Sequence, residues 1–132
     1  MATREHFIAT AVNHYVADGY LFTDFICPCC DMVKLVPAFY RHVGLLELMR
    51  RELGFPIEVT SGYRCPAHNR TVGGSPKSWH MLFATDIRPQ DLDPEKLTTI
   101  YQWALDERFG GIGLYDGHIH LDLRPERVLW RG

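Results

Sequence analysis

The sequence lacks the features of two large functional classes. Its formal net charge of −2 and scattered basic residues exclude the basic excess that broad nucleic-acid binding requires. No stretch approaches the roughly 20 apolar residues needed to cross a bilayer. Residues 1–16 also lack the apolar run of a secretory signal. We therefore expect no nucleic-acid partner, no membrane insertion and synthesis in a cytoplasm without a signal peptide.

Internal repeats, low-complexity segments and linkers are also missing, which favours one compact domain. The chain has 132 residues, 46% of them apolar and 23% charged, as in an ordinary globular domain. We predict a single domain over residues 1–132. Residues 1–24 are expected to form an N-terminal helix and a lead-in to the rest.

Cysteines are few, and three of the four stand together. Cys27, Cys29 and Cys30 form the run Cys-Pro-Cys-Cys, and Cys65 stands alone. In a reducing compartment such a group indicates a metal site, redox chemistry or plain thiols more often than a disulfide framework. The run is cramped compared with the usual Cys-x2-Cys zinc knuckle, which disfavours a structural zinc. A Cys27–Cys65 or Cys29–Cys65 link and free buried thiols stay open.

Hydrophobic periodicity and turn residues predict helices first and an antiparallel hairpin last. The expected helices are 5–16, 37–53 and 93–108, the expected strands are 57–60, 84–87, 111–115 and 118–123, and the segments 20–31 and 61–79 are expected to be irregular. Asp116-Gly117 is a strong hairpin turn signal. This order predicts an α+β fold in which a small antiparallel sheet with a C-terminal hairpin packs against about three helices.

The last predicted strand carries the chemistry. Side chains alternate along a strand, so His118, His120 and Asp122 share one face. A second pair, His80 and Asp86, stands upstream. Catalytic zinc takes three protein ligands and keeps a fourth position for a water whose pKa falls towards roughly 7. His80, Asp86 and one hairpin histidine supply that count, although an exposed polar hairpin face is the plainer interpretation.

Several separate motifs occur in an order that resembles the M15 family of zinc peptidases. They are Ser61-Gly62-Tyr63-Arg64-Cys65, His68-Asn69, Val72-Gly73-Gly74, Ser78-x-His80, Ala84-x-Asp86-Ile87-Arg88-Pro89, Gly113-x-Tyr115, His118-x-His120-x-Asp122-x-Arg124-Pro125 and Trp130. The resemblance covers residues 25–130. It implies an M15/hedgehog-like zinc peptidase architecture and an enzyme that acts on peptidoglycan stem peptides.

The resemblance also implies roles for individual residues. His80, Asp86 and His120 would bind one zinc ion. Arg64 would bind substrate or stabilise the developing oxyanion, or else form a structural ion pair with Asp86 or Asp122. Ser78 would hydrogen-bond near the site or help its loop to turn. Tyr63, in the same motif as Arg64, is a further candidate for substrate contact.

The sequence departs from the family pattern at two points. The step from His80 to Asp86 is six residues, one shorter than in many members. Gly117 stands where many members carry an acidic catalytic base. By analogy with the His-x-His arrangement of lysostaphin-like peptidases, His118 is the candidate for the base, with Asp116 as the alternative. Asp122 would orient a histidine from behind the metal.

The predicted function is hydrolysis of an amide bond in peptidoglycan stem peptides by a D-Ala-D-Ala carboxypeptidase or endolysin-like enzyme. We expect a monomer that reaches the wall after phage-type release. Which bond is cut stays open between D-Ala-D-Ala, L-Ala-D-Glu and cross-bridge amides. The alternative is a non-catalytic zinc module of the same fold that binds wall peptide or a partner protein. A thiol redox protein is disfavoured because the expected βαβ context is missing.

Overall fold

The computed structural model describes residues 14–132 and the backbone of Phe7–Ile8. The strands are β1 Phe7–Ile8, β2 Tyr15–Ala17, β3 Tyr20–Leu21, β4 Met32–Val33, β5 Ile57–Ser61, β6 Ala84–Pro89, β7 Gly111–Leu114, β8 Ile119–Asp122 and β9 Val128–Arg131. The helices are α1 Pro37–Leu53, α2 Pro66–Thr71 and α3 Pro94–Asp106, and short 3-10 turns occur at Phe22–Asp24 and Trp79–Met81. Among these helices none is long and apolar enough to cross a membrane.

The main sheet has five strands in the order β5-β6-β8-β7-β9. Its first four strands are antiparallel, and β9 joins β7 in parallel. Two small two-stranded sheets, β1-β4 and β2-β3, lie outside it. The predicted α+β class with three helices is therefore confirmed, with a parallel edge strand added to the antiparallel sheet.

Helix α1 begins and ends where the sequence predicts, and α3 begins at the predicted Asp93-Pro94 start but ends at Asp106, before the expected Arg108. Pro37 opens α1, where its missing N–H costs nothing, and Gly54 ends it in the left-handed conformation at φ 78°. Asp93 caps α3 by accepting a hydrogen bond from the Glu95 amide. Both helices bury an apolar stripe, which for α1 includes Phe39 and Leu46. Together with the sheet they enclose one hydrophobic core.

The two faces of the sheet differ in chemistry. Ile119 and Leu121 of β8 are fully buried in the core, and Leu121 pairs with Thr85 of β6, whose hydroxyl meets His42 of α1 at 2.8 Å. On the other face a single cross-strand row spans all five strands. It consists of Ser61, Asp86, His120, Gly113 and Trp130. The sheet thus presents its polar row away from the helices.

Three expectations about elements were wrong. The helix predicted over residues 5–16 is strand where the structure describes it, at Phe7–Ile8 and from Tyr15, and its other residues lie outside the described part. The expected loop 61–79 contains the short helix α2. The irregular segment expected after Tyr20 begins with β3. The hairpin turn at Asp116-Gly117 is confirmed, with the Tyr115 amide donating to the His118 carbonyl at 2.9 Å.

Candidate metal centre

Three side chains from two strands and one turn meet on the polar face of the sheet. Asp86 of β6 and His120 of β8 are direct cross-strand partners. His80 lies in the 3-10 turn Trp79–Met81. The Ser78 hydroxyl caps this turn by accepting a hydrogen bond from the His80 amide at 3.2 Å. His80 and His120 are buried, at 3% and 7% exposure. The shortened step between His80 and Asp86 therefore does not keep these residues apart.

The three ligand atoms form a nearly equilateral triangle. His80 Nε2 lies 3.3 Å from Asp86 Oδ1 and 3.3 Å from His120 Nδ1. His120 Nδ1 lies 3.4 Å from Asp86 Oδ1. Zinc bonds of about 2.0–2.1 Å at tetrahedral angles separate neighbouring ligand atoms by about 3.3–3.4 Å. The donor set and its spacing therefore fit a zinc ion.

Both histidines are held in the tautomer that a metal requires. His80 Nδ1 donates to the Gly62 carbonyl at 2.7 Å, which leaves Nε2 with a free lone pair. His120 Nε2 donates to Asp122 Oδ2 at 2.7 Å, which leaves Nδ1 free. Hydrogen bonds of this kind fix the ring and raise its basicity as a ligand. The lone pairs of the two rings thus converge on the Asp86 carboxylate.

Ionisation states around the triangle follow from burial and from these contacts. Burial alone would raise the pKa of Asp86, but hydrogen bonds with His120 and His80 hold that pKa well below its usual range. Burial would lower the pKa of His120, but hydrogen bonds with Asp122 and Asp86 raise it overall. The carboxylate is therefore charged at neutral pH, as a metal ligand must be.

The triangle opens into a cavity of about 680 Å³. The cavity is lined by Arg64, Gly74, Ser75, Lys77, Ser78, Trp79, His80, Asp86, Tyr115, His118, His120, Arg124 and Trp130. Three of these side chains are basic, three are aromatic, and Asp86 is the one acidic member. An open cleft of this size beside a set of metal ligands is suited to bind a substrate.

The family model for peptidase M15 matches residues 24–122. The chain belongs to the peptidase M15 family. It is therefore a metallopeptidase of the zinc-dependent kind, in agreement with the triangle of His80, Asp86 and His120. A comparison with curated proteins returned no match.

In this M15 peptidase, Asp122 is the best-anchored carboxylate near the centre. It is fully buried and is clamped by Arg124, whose Nε and Nη2 donate at 2.9 and 2.7 Å. The Gly111 amide adds a third bond at 3.0 Å. A Cβ on Gly111 would stand 2.2 Å from the Asp122 carboxylate, so a side chain is excluded there. Burial would raise the pKa of Asp122, but the bonds from Arg124 and His120 lower it.

Arg64 reaches the edge of the metal triangle. Its Nη2 lies 3.6 Å from Asp86 Oδ2, and its other nitrogens approach Ser61 Oγ and Asn69 Oδ1 at 3.4 Å each. The structure therefore forms the ion pair with Asp86 that the sequence left open. It also leaves the guanidinium on the cavity wall, so an additional contact with substrate remains compatible with the geometry.

The two candidate bases are placed differently. His118 lines the cavity and stacks on Tyr115, with ring centroids 4.5 Å apart. Asp116 is not among the residues that line this cavity; it lines a separate depression with Leu92 and Gly117. The structure does not support the prediction of Asp116 as the alternative base, because Asp116 lies in the turn, beyond the strand alternation that would turn it toward the cavity. His118 is the remaining candidate.

Tyr63 is not brought to the cavity either. It is 5% exposed and belongs to the hydrophobic core, where Lys34 lies over its ring at 5.8 Å. Tyr63 and Arg64 follow the end of β5 at Ser61; Tyr63 packs into the core, and Arg64 lines the cavity. The Tyr63 substrate contact predicted from the sequence therefore has no counterpart in the structure.

Sequence reasoning missed the side chains that shape the cavity wall. Arg124 lies between two indoles, 5.1 Å from the Trp130 ring and 5.2 Å from the Trp79 ring. Trp130 Nε1 donates to the Tyr115 hydroxyl at 2.7 Å. The Asp122-x-Arg124 spacing, with both residues on one face, was the available signal for the clamp. The local sequence did not predict that Trp130 lies over Gly113.

The cysteines gather away from this cavity. Cys27, Cys30 and Cys65 bring their sulfurs within 4.8 Å of one another, and the Cys29 side chain is exposed. That the run Cys-Pro-Cys-Cys disfavours a structural zinc stays a prediction. Within the run, Cys27 and Cys30 are separated by two residues as in a knuckle.

Proposed function

We propose that this M15 peptidase hydrolyses an amide bond in peptidoglycan stem peptides, as a D-Ala-D-Ala carboxypeptidase or an endolysin-like endopeptidase. The observation that supports this is the charge of the cavity beside the metal triangle. Among the described residues, Arg64, Lys77 and Arg124 line it, against the single carboxylate of Asp86. Stem peptides carry free carboxylates, which basic side chains bind through charge-assisted hydrogen bonds. In this proposal the protein is a monomer that reaches the wall after phage-type release.

Different residues of the cavity bind the metal, stabilise the oxyanion and transfer the proton during amide hydrolysis. A zinc ion held by His80, Asp86 and His120 supplies Lewis acidity and a water of lowered pKa. Arg64 stands beside the triangle and donates to the carbonyl oxygen as negative charge develops on it. His118 faces the same space and accepts and returns a proton.

Aromatic side chains give the cleft its walls. Trp79, Tyr115 and Trp130 line the cavity, and the bond between Tyr115 and Trp130 holds two of them in place. A Cβ on Gly113 would lie 2.4 Å from the Trp130 ring, so the indole can cross the sheet only above glycine. These faces exclude water around the scissile bond and pack on the small methyl side chains of alanine.

The decisive experiment is product analysis by mass spectrometry. The zinc-loaded protein is incubated with a stem pentapeptide ending in D-Ala-D-Ala, with its C-terminal amide and with intact peptidoglycan. A carboxypeptidase should release free D-Ala from the pentapeptide with a free C-terminal carboxylate and should cleave its C-terminal amide more slowly. An endolysin should instead cleave internal amide bonds of the intact peptidoglycan. His120→Ala should abolish either product. No product from any substrate with zinc bound would refute the peptidase proposal.

One observation favours a second candidate, a non-catalytic zinc module that binds wall peptide or a partner protein. Among the described residues, no carboxylate besides Asp86 lines the cavity, so an acidic base of the usual family kind is missing. The two candidates differ in His118→Ala. This substitution should reduce turnover at unchanged zinc content if the protein is an enzyme. A binding module would retain wall peptide without turbidity loss, with or without His118.

A further inference from the structure

We propose that Cys27, Cys29, Cys30 and Cys65 bind a second, structural zinc ion outside the catalytic cavity. Three of the four sulfurs, those of Cys27, Cys30 and Cys65, lie within 4.8 Å of one another, and Cys29 stands next to Cys30 in the same loop. Zinc–sulfur bonds of about 2.3 Å at tetrahedral angles separate ligand sulfurs by about 3.8 Å. Three thiols are thus already close to ligand spacing, and the exposed Cys29 is the fourth ligand of the proposal.

The backbone builds this group by folding residues 27–32 into a tight loop. The Cys27 amide donates to the Met32 carbonyl and the Asp31 amide to the Cys27 carbonyl, both at 2.8 Å. Asp31 takes a positive φ of 56°, which reverses the chain and returns Cys30 toward Cys27. Cys27 is fully buried, whereas Cys29 is exposed. The arrangement is that of a knuckle completed from outside by Cys65.

Amide groups also point at the sulfurs. The Cys65 amide donates to Cys27 Sγ at 3.4 Å, and the His68 amide donates to Cys65 Sγ at 3.4 Å. Such bonds stabilise thiolates, the form in which cysteine binds metals. The loop therefore supplies donors to its sulfurs before any metal binds.

Zinc binds cysteine as the thiolate, so the ligands lose their protons when the metal binds. Thiolates at this spacing repel one another, and a divalent cation between them offsets that repulsion.

The site has a structural consequence for the catalytic cavity. Cys65 follows Arg64 directly, and the Tyr63 amide donates to the Phe25 carbonyl at 2.9 Å. A Cβ on Gly62 would lie 2.6 Å from the same Phe25 carbonyl, so the two segments are in backbone contact. Zinc at the cysteines would fasten the segment that carries both Arg64 and the Gly62 carbonyl that orients His80.

Elemental analysis of protein purified with reductant and without chelator tests the proposal. The wild type should hold two zinc ions per chain, and His120→Ala should hold one. Adding Cys65→Ser to His120→Ala should remove the remaining ion. Thr71→Ala on the same short helix is the matched control and should keep it. One ion in the wild type and none in His120→Ala would overturn the proposal.

A spectroscopic measurement keeps the test independent of whether Cys65→Ser folds. Cobalt loaded into His120→Ala should show thiolate-to-cobalt charge-transfer absorption, which nitrogen and oxygen ligands do not give. Chelated, denatured protein prepared without reductant should show four titratable thiols. Absence of the band, or a count of two thiols that reveals a disulfide, would refute the site. Metal counting needs no substrate, so its outcome is separable from failure of the peptidase proposal.

Discussion

At the scale of single residues, the metal centre depends on a carboxylate that does not belong to the triangle. Asp122 accepts from His120 Nε2 at 2.7 Å and is itself held by two nitrogens of Arg124. This chain from Arg124 to Asp122 to His120 fixes the ring so that Nδ1 faces Asp86. Loss of such an outer partner typically weakens metal binding by about 10–100-fold.

Asp122→Asn should therefore weaken zinc binding by about 10–100-fold while the protein stays folded. The amide can still contact Arg124, but it no longer offers a charged acceptor to His120. Competition with a chromophoric chelator measures the affinity, and circular dichroism checks the fold. Asp116→Asn, in the exposed turn, is the control and should leave both affinity and peptide cleavage unchanged. Equal affinities in the folded Asp122 variant and the wild type would contradict this chain of contacts.

Arg64 gives a second prediction because its two roles have different consequences. If it stabilises the oxyanion, Arg64→Ala should lower kcat/KM by about 10²–10³ with zinc retained, the usual effect of removing one such donor. If it serves only as the ion pair with Asp86, thermal stability should fall and kcat/KM should not. Arg70→Ala, an exposed arginine on α2, controls for loss of charge.

At the scale of elements, helix α1 is joined to strand β6 by a buried polar contact. His42 is fully buried, its Nε2 meets Thr85 Oγ1 at 2.8 Å, and its Nδ1 has no hydrogen-bond partner among the described residues. Burial, aided by the charge of His120, lowers the pKa of His42 to about 3. At pH values where a histidine in the unfolded chain, with a pKa of about 6.5, becomes protonated, the His42 ring of the folded protein therefore stays neutral.

The sign of the resulting pH dependence follows from proton counting. Between about pH 6.5 and pH 3 the unfolded chain binds one more proton at this site. The free energy of unfolding therefore decreases as the pH is lowered, by up to about 1.4 kcal/mol per pH unit. The raised pKa of His120 makes the free energy of unfolding depend on pH above about pH 6.5. The lowered pKa values of Asp86 and Asp122 do so below about pH 4. The lowered pKa of Glu47 changes stability below about pH 4.5. Among the described groups with a shifted pKa, His42 therefore acts alone between about pH 4.5 and 6.5.

In chelated protein, His42→Phe with Thr85→Val should flatten the stability profile between about pH 4.5 and 6.5. The paired substitution removes both partners of the hydrogen bond, so no polar group is left buried alone. Urea unfolding at several pH values supplies the free energies. His14→Gln, at an exposed histidine, should keep the wild-type slope. A slope that survives in the paired variant would show that the acid sensitivity arises elsewhere.

Local signals explain which elements could be predicted from the sequence. Pro37 and Gly54 bound α1 because each has a backbone property that a helix end requires. Asp18-Gly19, which directly follows the predicted helix 5–16, is a hairpin turn, since Tyr15 pairs with Leu21 and Ala17 with Tyr20. Strand β9 was missed because it is mostly exposed and owes its existence to a parallel partner, β7. Neither the exposure of β9 nor its parallel pairing produces a periodic hydrophobic pattern in the sequence.

At the scale of the whole molecule, the sheet brings together residues that no local pattern connects. The His80, Asp86 and His120 ligand set could be anticipated because zinc chemistry limits the residue types and the family motifs carry them. The aromatic wall could not, because Trp130 reaches His120, with ring centroids 5.1 Å apart, only through the order β8-β7-β9. Asp116 was misjudged because alternation holds within a strand and fails in its turn.

Zinc binding on one face of the sheet should stabilise the whole domain, since a ligand that binds only the folded state adds RT ln(1 + [L]/Kd). The triangle joins β6 and the neighbouring His80 turn to β8, which lies much later in the sequence. A chelator should therefore lower the melting temperature, and re-added zinc should restore it. For a domain of this size, each 1 kcal/mol lost corresponds to about 2–8 °C.

The same melting experiment separates the contributions of the two metal groups. His120→Ala should show a smaller chelator-induced shift than the wild type, and the part that remains reports the cysteine zinc proposed above. Adding Cys65→Ser should eliminate that part, whereas Arg70→Ala should leave the full wild-type shift. If chelation did not lower the melting temperature of a wild type shown to contain zinc, metal binding would not be coupled to folding. The buried histidines and Asp86 would then hold the centre together by their hydrogen bonds alone.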